Sequence, residues 1–412
     1  MKIRRVICCM ILLICGLLNA QNRVTIEITS SGEMKTGACI VINAKKNNFL
    51  EEFAMQLSKD MTNSDWFRIE NLSFKEDVNL SLELDDSLTA YNANILIICK
   101  NENIFTVQAY DALEKTMLFE FALNPLSSAV QMAHRVNDEI VFRLTGKPGM
   151  ATSKILYITK KDRIYDLMMA DYDGSNPKSL LSARFIINYP RWFPDKKKVL
   201  FLSYRKTFPY LEYIDITTRQ IETFLSEPGL NACASFFRNK NQAAVVLSKS
   251  GKPDIYLVDM EGNILKRLTE QKGVNASPAI SPDGEKIVFV SDKDGRVNLW
   301  VMSSSGFNIR KLPIQASYIA APVWSPDGQY LAYAVRYGTD MYIEIYQWST
   351  GKRHILTENF SLSDAPSWAP DSRHIIFTRQ QNYVNSLWSI DIYCLTLRKI
   401  AENAYSPCWD VR

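Results

Sequence analysis

The residues able to do chemistry are few in this 412-residue chain, and their spacing argues against catalysis. Three histidines, His134, His354 and His374, lie far apart, and none has a partner at metal-ligand spacing. His134 falls in a helical stretch and the other two flank basic residues at strand starts, so surface or structural roles are expected. No Gly-x-Ser-x-Gly elbow occurs, which removes the serine-hydrolase reading. Gly146-Lys147-Pro148 is not a phosphate loop, which needs Gly-x-x-x-x-Gly-Lys-Ser/Thr. Asp171-Tyr172-Asp173-Gly174 has the acids of a calcium loop without the remaining ligands, and a plain turn is the better account. No catalytic, metal-binding or cofactor-binding residue is assigned, and no cofactor is expected.

What remains is a set of short segments that mix apolar and amide groups and recur at regular spacing. They are Ile187-Asn188-Tyr189, Leu230-Asn231-Ala232-Cys233, Val274-Asn275-Ala276-Ser277, Tyr318-Ile319-Ala320, Leu362-Ser363-Asp364 and Ala404-Tyr405. Asp364 is their one acid. Such segments suit contact with a peptide or protein epitope better than with a metal or a phosphate. The candidate contact residues are Asn188, Leu230, Asn231, Cys233, Asn275, Ala276, Ile319, Ala320, Ser363, Asp364 and Tyr405.

The elements that position them form an internal repeat. Each segment leads into an anchor: Tyr189-Pro190-Arg191-Trp192, Ser277-Pro278-Ala279-Ile280, Ala321-Pro322-Val323-Trp324 or Ala365-Pro366-Ser367-Trp368, with prolines 88, 44 and 44 apart. Cys233-Ala234-Ser235-Phe236 is a copy without the proline, and Ser406-Pro407-Cys408-Trp409 follows 41 residues after Pro366. A turn such as Pro282-Asp283-Gly284 or Pro326-Asp327-Gly328 comes next, where Pro presets the first central dihedral, Asp bonds locally and Gly accepts the exit conformation. Three further strands complete each copy, and four strands per roughly 40–50 residues is a β-propeller blade. Lys154-Ile155-Leu156-Tyr157 is a second strand 44 residues before Lys198, yet it has no first strand before it. The last anchor is a first strand with nothing after it. The two fragments should pair, giving an all-β six-bladed β-propeller over 154–412 that is closed by the C-terminal strand and leaves no exposed sheet edge at the closure.

Residues 21–146 lack the repeat and read as an α/β domain. Val24–Thr29 alternates as a strand, and Cys39–Ile42 is a continuous apolar run fit for burial on both faces. Helices are expected near Asn48–Asp60 and over Ser127–Leu144, the second capped by Ser127 or Ser128 and ended by Gly146. Strands are expected at Phe67–Glu70, Asn94–Lys100, Phe105–Asp111 and Met117–Ala122, and residues 147–153 form a hinge.

Residues 1–20 read as a secretory signal: a basic start, an apolar run from Val6 to Leu18, and Ala20 before Gln21. The run is shorter than the roughly 18 residues a membrane-spanning helix needs. Bulky Ile14 argues against a lipoprotein site at Cys15. Losing Lys2, Arg4 and Arg5 lowers the formal charge from +4 to +1, which excludes the basic footprint of a nucleic-acid binder. No transmembrane segment is expected in the mature chain. Five cysteines remain, Cys39, Cys99, Cys233, Cys394 and Cys408, an odd number that cannot pair completely.

Two-domain order, the Leu144-Thr145-Gly146-x-x-Gly149 junction and repeats such as Trp324-Ser325-Pro326-Asp327-Gly328 together resemble the TolB family of the Tol–Pal cell-envelope system. The resemblance implies a periplasmic, non-enzymatic scaffold that supports outer-membrane integrity and cell division. It implies that a Pal-like lipoprotein binds at the channel mouth, on a face including Leu230, Cys233 and Ala276. It also implies that a TolA-like inner-membrane protein contacts the N-terminal arm from Gln21 to about Thr29, including Asn22, Arg23 and Val24. The chain is expected to act as a monomer. The repeat departs from the family at Ala234 and Arg238-Asn239-Lys240, where the proline and the Pro-Asp-Gly turn are missing. The alternative is a generic exported propeller that binds another envelope protein or peptide. An enzyme would need a cluster of acids or histidines in the channel, and the segments above offer only Asp364.

Overall fold

The computed structural model of the protein describes residues 35–101, 104–270, 272–358 and 362–411. The expected signal, the Val24–Thr29 strand and the arm residues Asn22, Arg23 and Val24 lie outside the described residues. The chain divides into two compact units between Gly149 and Met150.

The first unit is built on β1 (Thr36–Asn43), α1 (Asn48–Asn63), β2 (Phe67–Lys75), α2 (Leu80–Thr89), β3 (Ile95–Asn101), β4 (Phe105–Asp111), β5 (Thr116–Leu123) and α3 (Ala129–Thr145). Its sheet has the order β2-β1-β3-β4-β5, parallel around β1 and antiparallel from β3 onward. The strand side chains alternate between two cores. Ala38, Ile40 and Ile42 pack with Leu50, Phe53 and Leu57 of α1 and Met132, Val136 and Ile140 of α3. Cys39 and Val41 face the other way, toward Leu84 of α2. Burial on both faces is why β1 reads as an unbroken apolar run. Ser128 caps α3 by accepting the Gln131 N–H at 3.3 Å, and Gly146 ends it in the left-handed conformation, φ 70°.

Helix α2 is an element that the sequence did not announce. Leu80, Leu82 and Leu84 alternate as a strand would, and Ser, Asp and Thr are weak helix formers. Asn79 starts the helix by accepting the Leu82 N–H, and Leu84 anchors it on the second face of the sheet. Tertiary burial overrides the local pattern.

The second unit is a ring of six four-stranded antiparallel sheets. The first blade combines Ala404–Trp409 with Lys154–Lys161, Ile164–Asp171 and Lys178–Ala183, so the C-terminal strand closes the ring. Ala404 pairs with Thr159 and Trp409 with Ile155. Trp409 Nε1 also donates to Ser153 Oγ at 2.7 Å, and the Asp410 N–H donates to Lys154 O at 2.8 Å. The inner strands of blades two to six are Ile187–Trp192, Asn231–Phe236, Asn275–Ile280, Tyr318–Trp324 and Ser363–Trp368. Each touches the next, around to Ala404–Trp409, so the six together wall the channel.

Two devices tie blades five and six to their neighbours. The anchor tryptophans reach back one blade: Trp324 Nε1 donates to Ala279 O, and Trp368 Nε1 to Val323 O, both at 3.1 Å. The turns at the foot are tied by their own side chains. Ser325 Oγ accepts the Tyr330 N–H at 2.9 Å and donates to Asp327 Oδ1 at 2.7 Å, and Asp327 N–H donates to Ser372 Oγ of the next blade at 3.0 Å.

Candidate functional site

Every inner strand begins at the channel mouth, and its side chains sort by position. The first strand residue after the connecting loop turns away from the channel. It is Ile187, Asn231, Asn275, Ile319, Ser363 or Ala404, and all are buried. The next residue is half-buried at Asn188, Ala276, Ala320 and Tyr405 and exposed at Asp364. The residue after that has a positive φ in all six copies: Tyr189, Cys233, Ser277, Ala321, Ala365 and Ser406 lie between 48° and 52°. Here the strand bulges, and its pairing with the second strand skips two residues. A left-handed residue other than glycine costs about 1 kcal/mol. Because all six blades carry it, the bulge belongs to the architecture and does not by itself mark a site.

This sorting narrows the candidate set. Asn231, Asn275 and Ile319 make contacts inside the ring, and Ser363 is buried with its hydroxyl unpartnered among the described residues. Asn231 Nδ2 donates to Glu227 O at 2.7 Å, and its Oδ1 accepts the Glu227 N–H at 2.9 Å. Asn275 Nδ2 donates to the buried Asp254 at 2.8 Å. Ile319 sits in the core between blades four and five. Asn188, Ala276, Ala320, Asp364 and Tyr405 face the channel, while Leu230 and Cys233 are half-buried against the core of blades two and three. Asn188 Oδ1 joins two blades, accepting the Tyr189 N–H at 2.8 Å and the Ser406 hydroxyl at 2.6 Å.

The channel also brings tyrosines together around Asp364. Tyr189 and Tyr405 are both pushed up to about 12, chiefly by burial, and each feels the other or its neighbours across the mouth. Tyr318 is raised for the same reason, with Asp364 adding to it. Asp364 is open to the channel, yet the surrounding walls displace enough water to raise its carboxyl, although its oxygen accepts the Ala365 N–H at 2.6 Å. The wall therefore favours neutral, hydrogen-bonding groups and ring faces, which serve docking. Arg191 was missed. In the repeat its position is filled by Ser235, Ala279, Val323, Ser367 and Cys408, so one large charged residue among small ones was visible in the alignment of copies.

The two faces of the propeller differ in what they expose. Large apolar side chains on the mouth face include Ile186, Tyr189, Phe208, Val274, Tyr318, Leu362 and Tyr383, whereas those exposed elsewhere on the propeller are Leu265, Phe307, Tyr393 and Leu395, among the described residues. Tyr383 is 97% exposed at the tip of a two-residue hairpin, with φ 63° beside Asn382 at 49°. Such turns ordinarily take glycine or asparagine there. Tyr383 is thus a strained, fully exposed aromatic on the same face as the apolar mouth.

Comparison with known proteins agrees with this architecture. Residues 141–411 match the TolB beta propeller domain family. The chain is 37% identical over 136 residues to the Tol-Pal system protein TolB of Acinetobacter baylyi, covering 31% of this chain and 32% of that protein. It is 29% identical over 166 residues to the same-named protein of Vesicomyosocius okutanii, covering 38% and 39%. The aligned segments thus span about a third of the length of these curated relatives. The crystal structure of TolB from Acinetobacter baumannii superposes with a TM-score of 0.78 at 24% identity, covering 94% of this chain and 99% of that one. With more than half of its length matched, the chain belongs to the TolB β-propeller family.

Proposed function

We propose that the chain is a non-enzymatic periplasmic scaffold of a Tol–Pal system, exported by a cleaved signal over residues 1–20. It docks a Pal-like lipoprotein on the propeller's mouth face and a TolA-like inner-membrane protein through the segment from Gln21 to about Thr29. The observation that carries this reading is the concentration of exposed aromatic and aliphatic side chains on the face where the channel opens. Membership of the family and the printed name of its relatives, Tol-Pal system protein TolB, support the choice of system. Asn188, Leu230, Cys233, Ala276, Ala320, Asp364 and Tyr405 are the proposed contacts at the mouth. Asn22, Arg23 and Val24 are those proposed for the arm. Competing occupation of two surfaces on one scaffold would set which complex forms, with no chemical step required.

Pull-down of the mature chain with a Pal-like lipoprotein tests the proposal. Capture is expected, and the double variant Ala276→Arg with Leu230→Asp is expected to lose it. Undiminished capture by that variant would sink the mouth assignment.

A further inference from the structure

Among the described residues, one cation of the channel has no counter-charge beside it. Below the mouth, the residue following each anchor proline points toward the neighbouring blade's inner strand. Ser235 Oγ accepts the Ile280 N–H at 3.1 Å, and Ser367 Oγ accepts the Trp409 N–H at 2.9 Å. Five blades use a small side chain here: Ser235, Ala279, Val323, Ser367 and Cys408. The second blade uses Arg191, and its guanidinium occupies space that the small residues leave free. Nη1 donates to Pro190 O at 2.9 Å. Burial pushes up the Cys408 and Cys233 thiols, and the guanidinium counters that push at both. No carboxylate stands within ion-pair distance of Arg191 among the described residues, whereas Asp364 bonds its own neighbour's backbone. A half-buried guanidinium normally finds an acid, because an unpaired charge out of bulk water is costly. Among the described residues Pro190 O is the guanidinium's one hydrogen-bond acceptor, which leaves most of its N–H donors open.

At the foot of the same channel the degenerate turn of the third blade adds a second cation. Arg238 Nη1 reaches Pro326 O at 3.4 Å, a bond that skips the fourth blade and so runs across the channel end.

We infer that Arg191 is the heart of an anion subsite inside the channel that takes a single carboxylate. One guanidinium among neutral walls matches one negative charge, and its planar fork suits a carboxylate's two oxygens. The carboxylate is either carried by an acidic residue of the protein that docks on the mouth or belongs to a small free acid. The first source rests on the docking proposed above, and the second does not.

Acetate is the probe, titrated into the full mature chain against sodium chloride at constant ionic strength. The wild type should gain about 3 °C in Tm once acetate reaches roughly ten times its Kd. Arg191→Gln should gain nothing, and Arg191→Lys should keep part of the gain. An equal gain in wild type and Arg191→Gln, or none in either, would overturn the subsite. Should Arg191→Gln fail to fold, the Nε–H resonance of Arg191 in the wild type decides: a saturable shift with acetate upholds the subsite, and a static resonance refutes it. Pull-down with a Pal-like lipoprotein then separates the sources. Capture weakened at least tenfold by Arg191→Gln assigns the carboxylate to the docking protein, and unchanged capture assigns it to a free acid. Because the acetate arm uses no partner protein, it can succeed even where the docking proposal fails.

Discussion

The two ends of the propeller channel are built from the same repeat and obey different rules. At the foot, proline and aspartate recur in four blades, serine and aspartate close the turns at Ser281–Asp283 and Ser325–Asp327, and Asp327 bonds the next blade through Ser372. At the mouth the same strands are approached by loops whose residues differ from blade to blade, and large apolar groups are left exposed. The third blade breaks the rule at the foot, where Arg238-Asn239-Lys240 replaces the turn. The contrast teaches that the foot specifies the fold and the mouth is free to vary for recognition. A position that violates the foot's regularity therefore merits a functional question.

The most severe way to break this comparison removes what both ends depend on. Deleting Tyr405–Arg412 takes away the inner strand of the first blade, with its pairing to Lys154–Lys161 and the Trp409–Ser153 bond. Calorimetry should then show no cooperative unfolding of the propeller, and an unchanged transition would refute closure as its support. Next in size is a foot substitution. Ser325→Ala leaves the buried Tyr330 N–H and the Asp327 carboxylate each short of a partner, and should cost about 1–3 kcal/mol in urea unfolding with lipoprotein capture intact. The mouth should show the reverse. Ala276→Arg alone, on a half-buried site, should change stability by no more than about 0.5 kcal/mol while weakening capture about tenfold or more.

The smallest effect concerns pH. The channel walls displace water and raise the Asp364 carboxyl, so the folded chain holds that proton more tightly than the unfolded chain does. Its contribution to stability is present below the ordinary carboxylate pKa and is lost as pH rises through the raised value. Asp364→Asn should remove this slope and leave the chain slightly more stable at neutral pH. Urea midpoints measured from about pH 4 to pH 7 would show it, and parallel curves for both proteins would contradict the account.

Much of the fold was legible because repetition averages out local ambiguity. One Pro-Asp turn is weak, but four of them together with six anchors in register set strand count, blade count and closure. Helix α2 was not legible, because its leucines alternate as in a strand and only contact with the sheet makes it a helix. The site was legible only in outline. The segments at the mouth were recognised, but a strand's alternation was hidden by a bulge common to all blades. Asn231 and Ala276 therefore looked alike in the sequence, although one ties a loop from within and the other faces the channel. Cysteine pairing could not be settled from an odd count, and in the structure all five described cysteines are free thiols.

The sequence by itself determined the two-part organisation, the six-fold repeat and the closing strand, since these follow from periodic burial and turn chemistry along one chain. Only the tertiary structure decided which side chains share the channel. That depends on residues 40 to more than 200 positions apart, such as Asn188 and Ser406, meeting across blades. It also decided that Arg191 stands without a counter-charge among the described residues, because a missing partner is a property of three-dimensional surroundings and leaves no mark in the order of residues.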